Sequence, residues 1–463
     1  MKRIYFLLLT VFLFNGLVAQ EQTGENNDCD ITLSLERDYL KSGKYDEALS
    51  YWEKVYKNCP AHSEAIYADG VKIFKYKYKK AVKTGNKAEA AADYNKLMEL
   101  YDNWVKNFPN TKYIGKIYQD KGLLMLDEKK GTDEEIYNIF HEGYTKGKNT
   151  FTNPKAIYAY FNYAVKMYKN NKLSFEDLIN LYDDLQHSIT ESSDKYSKMM
   201  EKLLAKEEKG ELLKSEQRKL KALQKNIPVY SVISKNMDLI LGELGDCQHL
   251  VPLYKRKFEE NKNNASWLRK AAGNLSKKDC SNDPIFSKLV TQLDVIEPSY
   301  SSAYYLGILN EKKGKYSTAE QYYKKAISLS DNAYDKAKVY YKLAKLSKKK
   351  GLKSQARNYA YKALEYKPSM GSAYLLIANL YATSANSCGT DEFSKRATFW
   401  LAADMADKAA RVDPSIAKHA KKVANNYRLK APSKEMIFMQ NMAGKTVPLK
   451  CWIGQSVKVP AVK

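Results

Sequence analysis

The sequence is poor in the residues and motifs on which enzymes and metalloproteins depend. It has only five histidines, and they are scattered without the spacing of a metal-binding motif: His62, His141, His187, His249 and His419. It also has no phosphate-binding glycine loop and no nucleophile elbow of the GxSxG type. Acidic pairs such as Glu207 with Glu208 are adjacent in charged stretches, and adjacent residues do not face each other on a helix. We therefore expect no catalytic site, cofactor or metal, unless acidic or histidine side chains converge only in three dimensions.

Long hydrophobic runs are also lacking. The apolar run Ile4 to Phe14 is eleven residues long and contains Thr10, whereas a membrane-spanning helix needs about 20 residues. Lys2 and Arg3 precede this run, and a polar, acidic stretch follows Gln20. This pattern predicts a secretory signal peptide over residues 1–20, with cleavage near Gln20 and no transmembrane span afterwards. The sequence thus predicts an exported protein, periplasmic or on the periplasmic side of an outer membrane.

Cysteine is scarce, and all six cysteines lie after the predicted signal. Their even number fits an oxidising compartment, and none is in a CxxC pair, which argues against a redox or zinc site. Six cysteines allow 15 pairings. Their spacing, however, falls into three pairs that each bracket one predicted unit: Cys29 with Cys59, Cys247 with Cys280, and Cys388 with Cys451. We predict these three disulfides, each stabilising the fold by about 2–4 kcal/mol.

Acidic residues are outnumbered, since 77 Lys and Arg face 53 Asp and Glu, for a net charge of +24. Such a field attracts anionic partners, for example lipopolysaccharide, a wall polymer, nucleic acid or an acidic protein. Solvated lysine faces encoded by an AT-rich genome explain the same excess without any binding. Nucleic acid is disfavoured as a partner because of the predicted export and because no nucleic-acid-binding fold signature is present.

What the sequence does contain is a helical-pair pattern with a period of about 34 residues. It is clearest from Ala303 to Pro368, within a predicted C-terminal repeat block with a capping helix over residues 298–430. Gly, Ala and Tyr recur there at matching offsets: Ala303, Leu306, Gly307, Gly314, Tyr316, Ala319, Tyr323 and Ala326, then Tyr340, Leu343, Ala344, Gly351, Ala356, Ala363 and Pro368. Glycine turns the chain, alanine allows close helix approach, and proline ends the second helix. A third unit begins at Tyr374, is interrupted at residues 384–393 and ends at Pro414, and a capping helix is predicted over 415–428.

The rest of the chain follows the pattern less closely. Residues 21–60 contain one further unit, with Gly43 at its turn, and residues 61–297 are helical with drifting spacing. Within them, a charged helical hairpin is predicted over about 190–226, either as a solvated arm or as a partner-binding arm, and Pro228 is expected to start the next helix pair. In residues 431–463 we predict two short strands that turn at Gly454.

The matches at 29–60 and 300–414 resemble the tetratricopeptide repeat (TPR) family, although Ala303, Tyr340 and Tyr374 stand where the family has its leading tryptophan. The whole arrangement is also similar to exported TPR proteins of Bacteroidota, through the stretch at 388–393 and the closing Cys-Trp-Ile at 451–453. The resemblance implies an all-α fold, a TPR-like helical-hairpin solenoid with a right-handed superhelix, here with a short C-terminal β-hairpin extension.

In the TPR family, ligands lie against the first helix of each pair. Carried over to this sequence, the groove is lined by Tyr304, Ile308, Lys312, Lys338, Tyr341, Lys345, Lys348, Lys349, Leu375 and Asn379. This aromatic and basic lining suits an acidic or extended segment of a protein partner. It lacks most of the Lys and Asn set with which some members clamp a terminal carboxylate. The alternative, that these are ordinary solvent-facing positions, stays open.

These observations favour a non-enzymatic exported scaffold that mediates protein–protein interaction in a cell-envelope complex, in assembly, secretion or outer-membrane organisation. Peripheral association with the outer membrane is compatible with it. The alternative function is a basic tether that binds an anionic envelope polymer such as lipopolysaccharide or a wall polymer. A tether would lose affinity steeply with salt and depend little on Tyr304 or Tyr341.

Overall fold

The computed structural model describes residues 15–449 and 451–461, with side chains from residue 28 onward except that of Glu243. Within these residues, 21 helices and one two-stranded sheet confirm the predicted all-α class with a small β extension. The chain forms two compact units, Met1–Asn170 and Asn171–Lys463. Most of the predicted signal peptide lies outside the described residues, and residues 15–20 belong to the first helix. Its cleavage stays a prediction.

Unit 1 consists of helices that pair with their neighbours along the chain: α1 (Asn15–Lys41), α2 (Tyr45–Asn58), α3 (Glu64–Thr84), α4 (Lys87–Asn107), α5 (Ile114–Asp127), α6 (Asp133–Gly147) and α7 (Pro154–Lys169). Gly43 has a φ of +74° in the turn between α1 and α2, as the repeat pattern requires. Trp52 of α2 is buried, and its indole N–H donates to the Ile66 carbonyl at 2.7 Å. A Cβ at Gly70 would lie 2.6 Å from this indole, so glycine allows α2 and α3 to approach closely.

Unit 2 begins with two long helices, α8 (Phe175–Glu208) and α9 (Lys214–Leu244), followed by α10 (Cys247–Asn261), α11 (Ala265–Lys277) and α12 (Pro284–Ile296). The hairpin of α8 and α9 is longer than the predicted range 190–226 and turns at Gly210, whose φ is +74°. Pro228 does not start a new helix pair, because it lies inside α9. A buried apolar stripe with helical spacing passes on both sides of this proline and keeps α9 continuous: Leu220, Leu223, Ile227, Tyr230, Ile233, Met237 and Leu241.

The clearest helix pairs follow: α13 (Tyr300–Lys312) with α14 (Tyr316–Ser328), α15 (Ala333–Lys349) with α16 (Lys353–Tyr366), and α17 (Gly371–Ala382) with α19 (Glu392–Val412). We call residues 300–412 the repeat block. The short helix α18 (Ala385–Cys388) forms the predicted interruption. Tyr323 is fully buried, and a Cβ at Gly307 would lie 2.5 Å from its ring. The small residue therefore lets α13 and α14 pack around this ring.

The repeat block is followed by α20 (Ala417–Lys430), close to the predicted capping helix, then by α21 (Lys434–Met439) and strands β1 (Thr446–Pro448) and β2 (Ser456–Lys458). The strands pair antiparallel, with Val447 opposite Val457, and both valines are buried in a cluster that includes Ala402 of α19. Three disulfides join Cys29 to Cys59, Cys247 to Cys280, and Cys388 to Cys451, the sequential pairs that the spacing predicts.

Candidate functional site

The predicted groove residues lie on α13, α15 and α17, the first helices of their pairs, but not all of them are accessible. Tyr304 and Ile308 are 7% and 6% exposed. Tyr304 stacks on Tyr300 with ring centroids 5.8 Å apart and lies below the ammonium of Lys338, which is 5.0 Å from its ring centre. These apolar residues therefore form the floor of the face, below the charged side chains.

The end of the predicted groove on α17 is partly buried. Leu375 is half-buried against the core of the repeat block, and half-buried Asn379 lies near the hydroxyl of Tyr427 on α20. Leu375 and Asn379 are thus less accessible than the lysines predicted for α13 and α15.

The predicted lysines remain at the surface: Lys312, Lys338, Lys345, Lys348 and Lys349 are exposed. Lys312 pairs with Asp279, and the ammonium of Lys349 lies 5.0 Å from the ring centre of Tyr316. Half-buried Tyr341 lies beside Lys345, whose ammonium is 5.9 Å from its ring centre. The structure thus brings an aromatic side chain and several cations together on α15.

A strip of positive charge runs along α15, and sequence reasoning found only part of it. Lys342 is half-buried one turn after Lys338 and one turn before Lys345, so the three share one helix face. We call Lys338, Lys342 and Lys345 the lysine strip. Lys342 was missed because it is not one of the ligand positions of the family. Its spacing of four residues from Lys338 was the available signal.

The electrostatics of the strip show that these cations are crowded. Surrounding protein atoms displace water from Lys338 and lower its pKa, and Lys277 and Lys342 add to this effect. Asp335 and Asp194 of α8 oppose it. Loss of water also lowers the pKa of Lys342; Glu311 opposes the shift, and Lys345 and Lys312 reinforce it. Positive groups held together in this way gain free energy from a nearby anion.

An acidic helix of the same unit already crosses this face. Asp184 of α8 pairs with Lys270 of α11 at 3.0 Å, and the neighbouring Asp183 pairs with Lys277 at 3.4 Å. About three turns further along α8, Asp194 pairs with Lys367 at 2.8 Å, at the junction of α16 and α17. Carboxylates along one helix thus reach both α11 and the junction of α16 and α17.

The contacts continue to the end of α8. Glu201 accepts hydrogen bonds from the Tyr334 hydroxyl at 2.9 Å and from the Ser369 backbone N–H at 3.0 Å. Glu207 and Glu208 each lie 3.2 Å from the guanidinium of Arg411 at the end of α19. The interpretation of this segment as a solvated hairpin is therefore wrong for α8, because its acidic residues find partners in the repeat block that lie far away in sequence.

The hairpin and the repeat block meet through polar groups, whereas the hairpin has its own apolar interior. Met200, Leu203 and Leu204 of α8 pack against buried residues of α9, namely Leu220, Leu223 and Ile227. From the repeat block, Val412 packs against this cluster. Charge and hydrogen bonding thus contribute to the attachment of α8, beside the apolar contact of Val412.

Among the residues that the structure describes, neither a metal-binding cluster nor a membrane-spanning helix adds to this site. In the part of the chain that the structure describes, no group of three or more His, Cys, Asp or Glu side chains could hold a metal ion. Over the same residues, no helix is both long and apolar enough to cross a bilayer.

No protein-family model and no curated protein matches the sequence. The solved structures that are similar to this chain include yeast Tom70, at 12% sequence identity and a TM-score of 0.29, with coverage of 87% of this chain and 96% of that chain. They also include a human IFIT1 dimer with PPP-AAAA, at 12% identity and a TM-score of 0.29, with coverage of 88% and 95%. At these scores the likenesses carry no argument about function, and the description of the fold as TPR-like helix pairs stands on the pairs themselves.

Proposed function

We propose that this protein is an exported, non-enzymatic scaffold whose TPR-like face on α13 and α15 binds an acidic segment of a partner protein. The carrying observation is the lysine strip, Lys338, Lys342 and Lys345, next to the contacts through which the protein's own acidic helix α8 docks. The ion pairs of α8 with Lys270 and Lys367 support this proposal, because they join carboxylates to lysines of the same unit.

The chemistry of the strip favours a protein segment with both carboxylates and apolar side chains. Carboxylates relieve the repulsion among the lysines, and Tyr341 offers apolar contact beside them. Tyrosine buries a large area while losing little conformational freedom, and charge complementarity raises association rates and selects partners. An acidic helix or extended acidic segment satisfies both requirements.

The proposed location is the cell envelope, in the periplasm or on the periplasmic side of the outer membrane, as in the exported Bacteroidota proteins that the sequence resembles. The three disulfides support an oxidising compartment, since cytosolic thiols are kept reduced. The process, whether assembly, secretion or outer-membrane organisation, follows from the partner.

The test is photo-crosslinking in the envelope of the native cell. A photoreactive amino acid replaces exposed Lys345 on α15 in one strain and exposed Lys362 on α16 in a matched strain. We expect a discrete protein adduct from position 345 that is absent from position 362. It should disappear in a Lys338→Glu and Lys342→Glu background and persist in a Lys313→Glu background.

The alternative, a tether for an anionic envelope polymer, is supported by the net charge of +24. It predicts a heterogeneous adduct at both positions, and binding that falls with salt equally for all three charge reversals. That result would replace the protein scaffold by the tether. Adducts with neither protein nor polymer at position 345 would exclude this face as a binding site.

A further inference from the structure

The C-terminal part of unit 2 exposes apolar side chains to an unusual degree. Leu429, Phe438 and Met439 are 81%, 80% and 82% exposed, the highest values for large hydrophobic residues in the described part of the chain. Leu429 lies at the end of α20, and Phe438 with Met439 forms the end of α21. Exposed apolar groups of this kind mark interaction sites when the surrounding structure holds them in place.

The neighbouring structure holds these residues in place. Ile437, directly before Phe438, is 4% exposed and belongs to the buried cluster of the repeat block. The guanidinium of Arg396 on α19 donates to the carbonyls of Lys430 and Ala431 at 2.9 Å each, at the junction of α20 and α21. Ile437 and Arg396 therefore anchor the segment. Phe438 and Met439 stay exposed to solvent because the preceding residue, Ile437, is the one that enters the core.

The sequence around these residues is almost free of acidic groups. From Ser415 to the end of the chain there are nine lysines and one arginine against one acidic residue, so the net charge is 10 − 1 = +9. The acidic residue is Glu435, and the basic residues are Lys418, Lys421, Lys422, Arg428, Lys430, Lys434, Lys445, Lys450, Lys458 and Lys463. A segment with this balance attracts a surface of uniform negative charge.

We propose that residues 415–449 and 451–461 form a docking surface for an anionic phospholipid bilayer, with Leu429, Phe438 and Met439 entering the headgroup region and the lysines of these two ranges facing lipid phosphates. Protruding apolar side chains among cations are the combination by which peripheral proteins bind at such interfaces. A bilayer also requires no matching shape, whereas a stable protein interface needs about 800 Å² of complementary surface on each side. This surface is separate from the lysine strip on α15, and the inference goes beyond the scaffold function.

The test is co-sedimentation of the purified full-length exported protein with vesicles. One set contains phosphatidylglycerol with phosphatidylcholine, and the other contains phosphatidylcholine alone. We expect binding to the anionic vesicles, weaker at high salt, and an affinity at least about tenfold lower for Phe438→Ser with Met439→Ser because their apolar area no longer enters the bilayer. The matched control, Leu329→Ser with Leu352→Ser, alters side chains that are 43% and 45% exposed on turns of the repeat block and should bind as the wild type does.

A second variant keeps the site apolar and reports on insertion directly. In Phe438→Trp, a tryptophan at the exposed position should be quenched by brominated phospholipid, whereas tryptophan at Leu329→Trp should not. Equal binding to both vesicle types, no binding to the anionic vesicles, or binding that is abolished by salt but indifferent to the double serine variant would each overturn the proposal. The last result would show adsorption by net charge without insertion.

Discussion

The repeat block and the helix α8 that crosses it are held by different forces. Inside the block, residues such as Ala319, Tyr323 and Ala356 are fully buried, and glycine at 307 lets an aromatic ring fill the space between two helices. Between α8 and the block, the contacts include Asp194 with Lys367, Glu201 with Tyr334, and the last glutamates with Arg411, beside the apolar packing of Val412. The block should therefore be insensitive to salt, and the docking of α8 should depend on it.

The difference shows that unit 2 combines a stable framework, the repeat block, with a weaker contact, the docking of α8 on that block. Apolar packing between helices contributes more free energy per residue than partly exposed ion pairs, whose contribution is about 0.2–1 kcal/mol each. A hairpin with its own apolar interior can lose its polar contacts to the block and remain folded. Perturbations of the two kinds of contact should differ in size and in salt dependence.

The largest effect is expected inside the block. Tyr323→Ala removes a fully buried ring that lies against Gly307, and we expect the free energy of unfolding to fall by about 3–5 kcal/mol. Urea denaturation at low and high salt measures it, and the loss should be the same at both. The control Tyr323→Phe removes only the hydrogen bond to Glu311, 2.7 Å long, and should cost about 0.5–1.5 kcal/mol. Equal losses for both variants would contradict the role of the ring.

Glu36 of unit 1 offers a contrast with the paired carboxylates of α8, because its carboxyl group is buried without a hydrogen-bond partner. Glu36 is fully buried with no hydrogen-bond partner for either carboxyl oxygen. Burial, with a smaller contribution from Asp69, raises its pKa from 4.5 to about 8, although Arg37 and Lys72 oppose the shift. The folded state therefore keeps a proton that the unfolded state has lost, so stability decreases as pH rises from about 4.5 to 8.

Glu36→Gln imitates the protonated group and should remove much of this dependence. At pH 8 we expect the variant to be more stable than the wild type by about 1–3 kcal/mol, and at pH 4.5 the difference should be small. Chemical denaturation across this pH range measures it, with exposed Glu53→Gln as the control. The opposite result would be a free energy of unfolding that rises between pH 4.5 and 8 by more in the wild type than in Glu36→Gln. It would show that the Glu36 carboxyl is ionised in the folded protein.

A smaller effect than that of Tyr323→Ala is expected where Glu201 of α8 accepts two hydrogen bonds. Glu201→Ala removes the acceptor of two hydrogen bonds, at 2.9 and 3.0 Å, and should weaken docking of α8 by about 1.5–3 kcal/mol without unfolding the block. Hydrogen exchange should accelerate in residues 196–208 and remain unchanged in α13 and α14. Exposed Glu211→Ala, in the turn after α8, should leave exchange as in the wild type. Uniform acceleration across the block would show that docking and folding are one transition.

The smallest effect is expected at the end of α8. Arg411→Ala breaks the ion pairs with Glu207 and Glu208, all of them substantially exposed, and should cost about 0.2–1 kcal/mol at low salt. At high salt the difference from the wild type should vanish because mobile ions screen exposed charges. Arg218→Ala on the exposed side of α9 is the control in the same exchange measurement. A salt-independent loss would indicate that Arg411 acts through packing.

Much of the fold was predictable because the signals are local. Gly314 and Gly351 mark turns with φ of +74° and +77°, and alanines at fixed offsets mark the close helix contacts. The error at Pro228 has the opposite origin, since packing of α9 against α8 outweighs the local preference of proline to end a helix. The helix propensity of a segment depends on a few neighbouring residues and can be read from the sequence. Packing depends on the partner helix, which the local sequence does not show.

The candidate site was less predictable. The family positions located Lys338 and Lys345, but they did not indicate that Tyr304 is buried below a lysine or that Tyr427 of α20 lies near Asn379. Lys342 is absent from those positions although it shares the face. A family pattern gives the positions at which an average repeat is accessible to a ligand. In a particular protein, the neighbouring helices decide whether those positions are accessible.

By itself, the sequence determined the helix pairs, their turns, the capping helix and the three disulfide partners, because each depends on spacing over a few tens of residues. Only the tertiary structure decided that the acidic side of α8 lies against the repeat block. Asp194 and Lys367 are 173 residues apart and contribute no periodic signal, since their attraction acts through space after both helices have formed. The same holds for Phe438, which is exposed because Ile437 beside it fills the core.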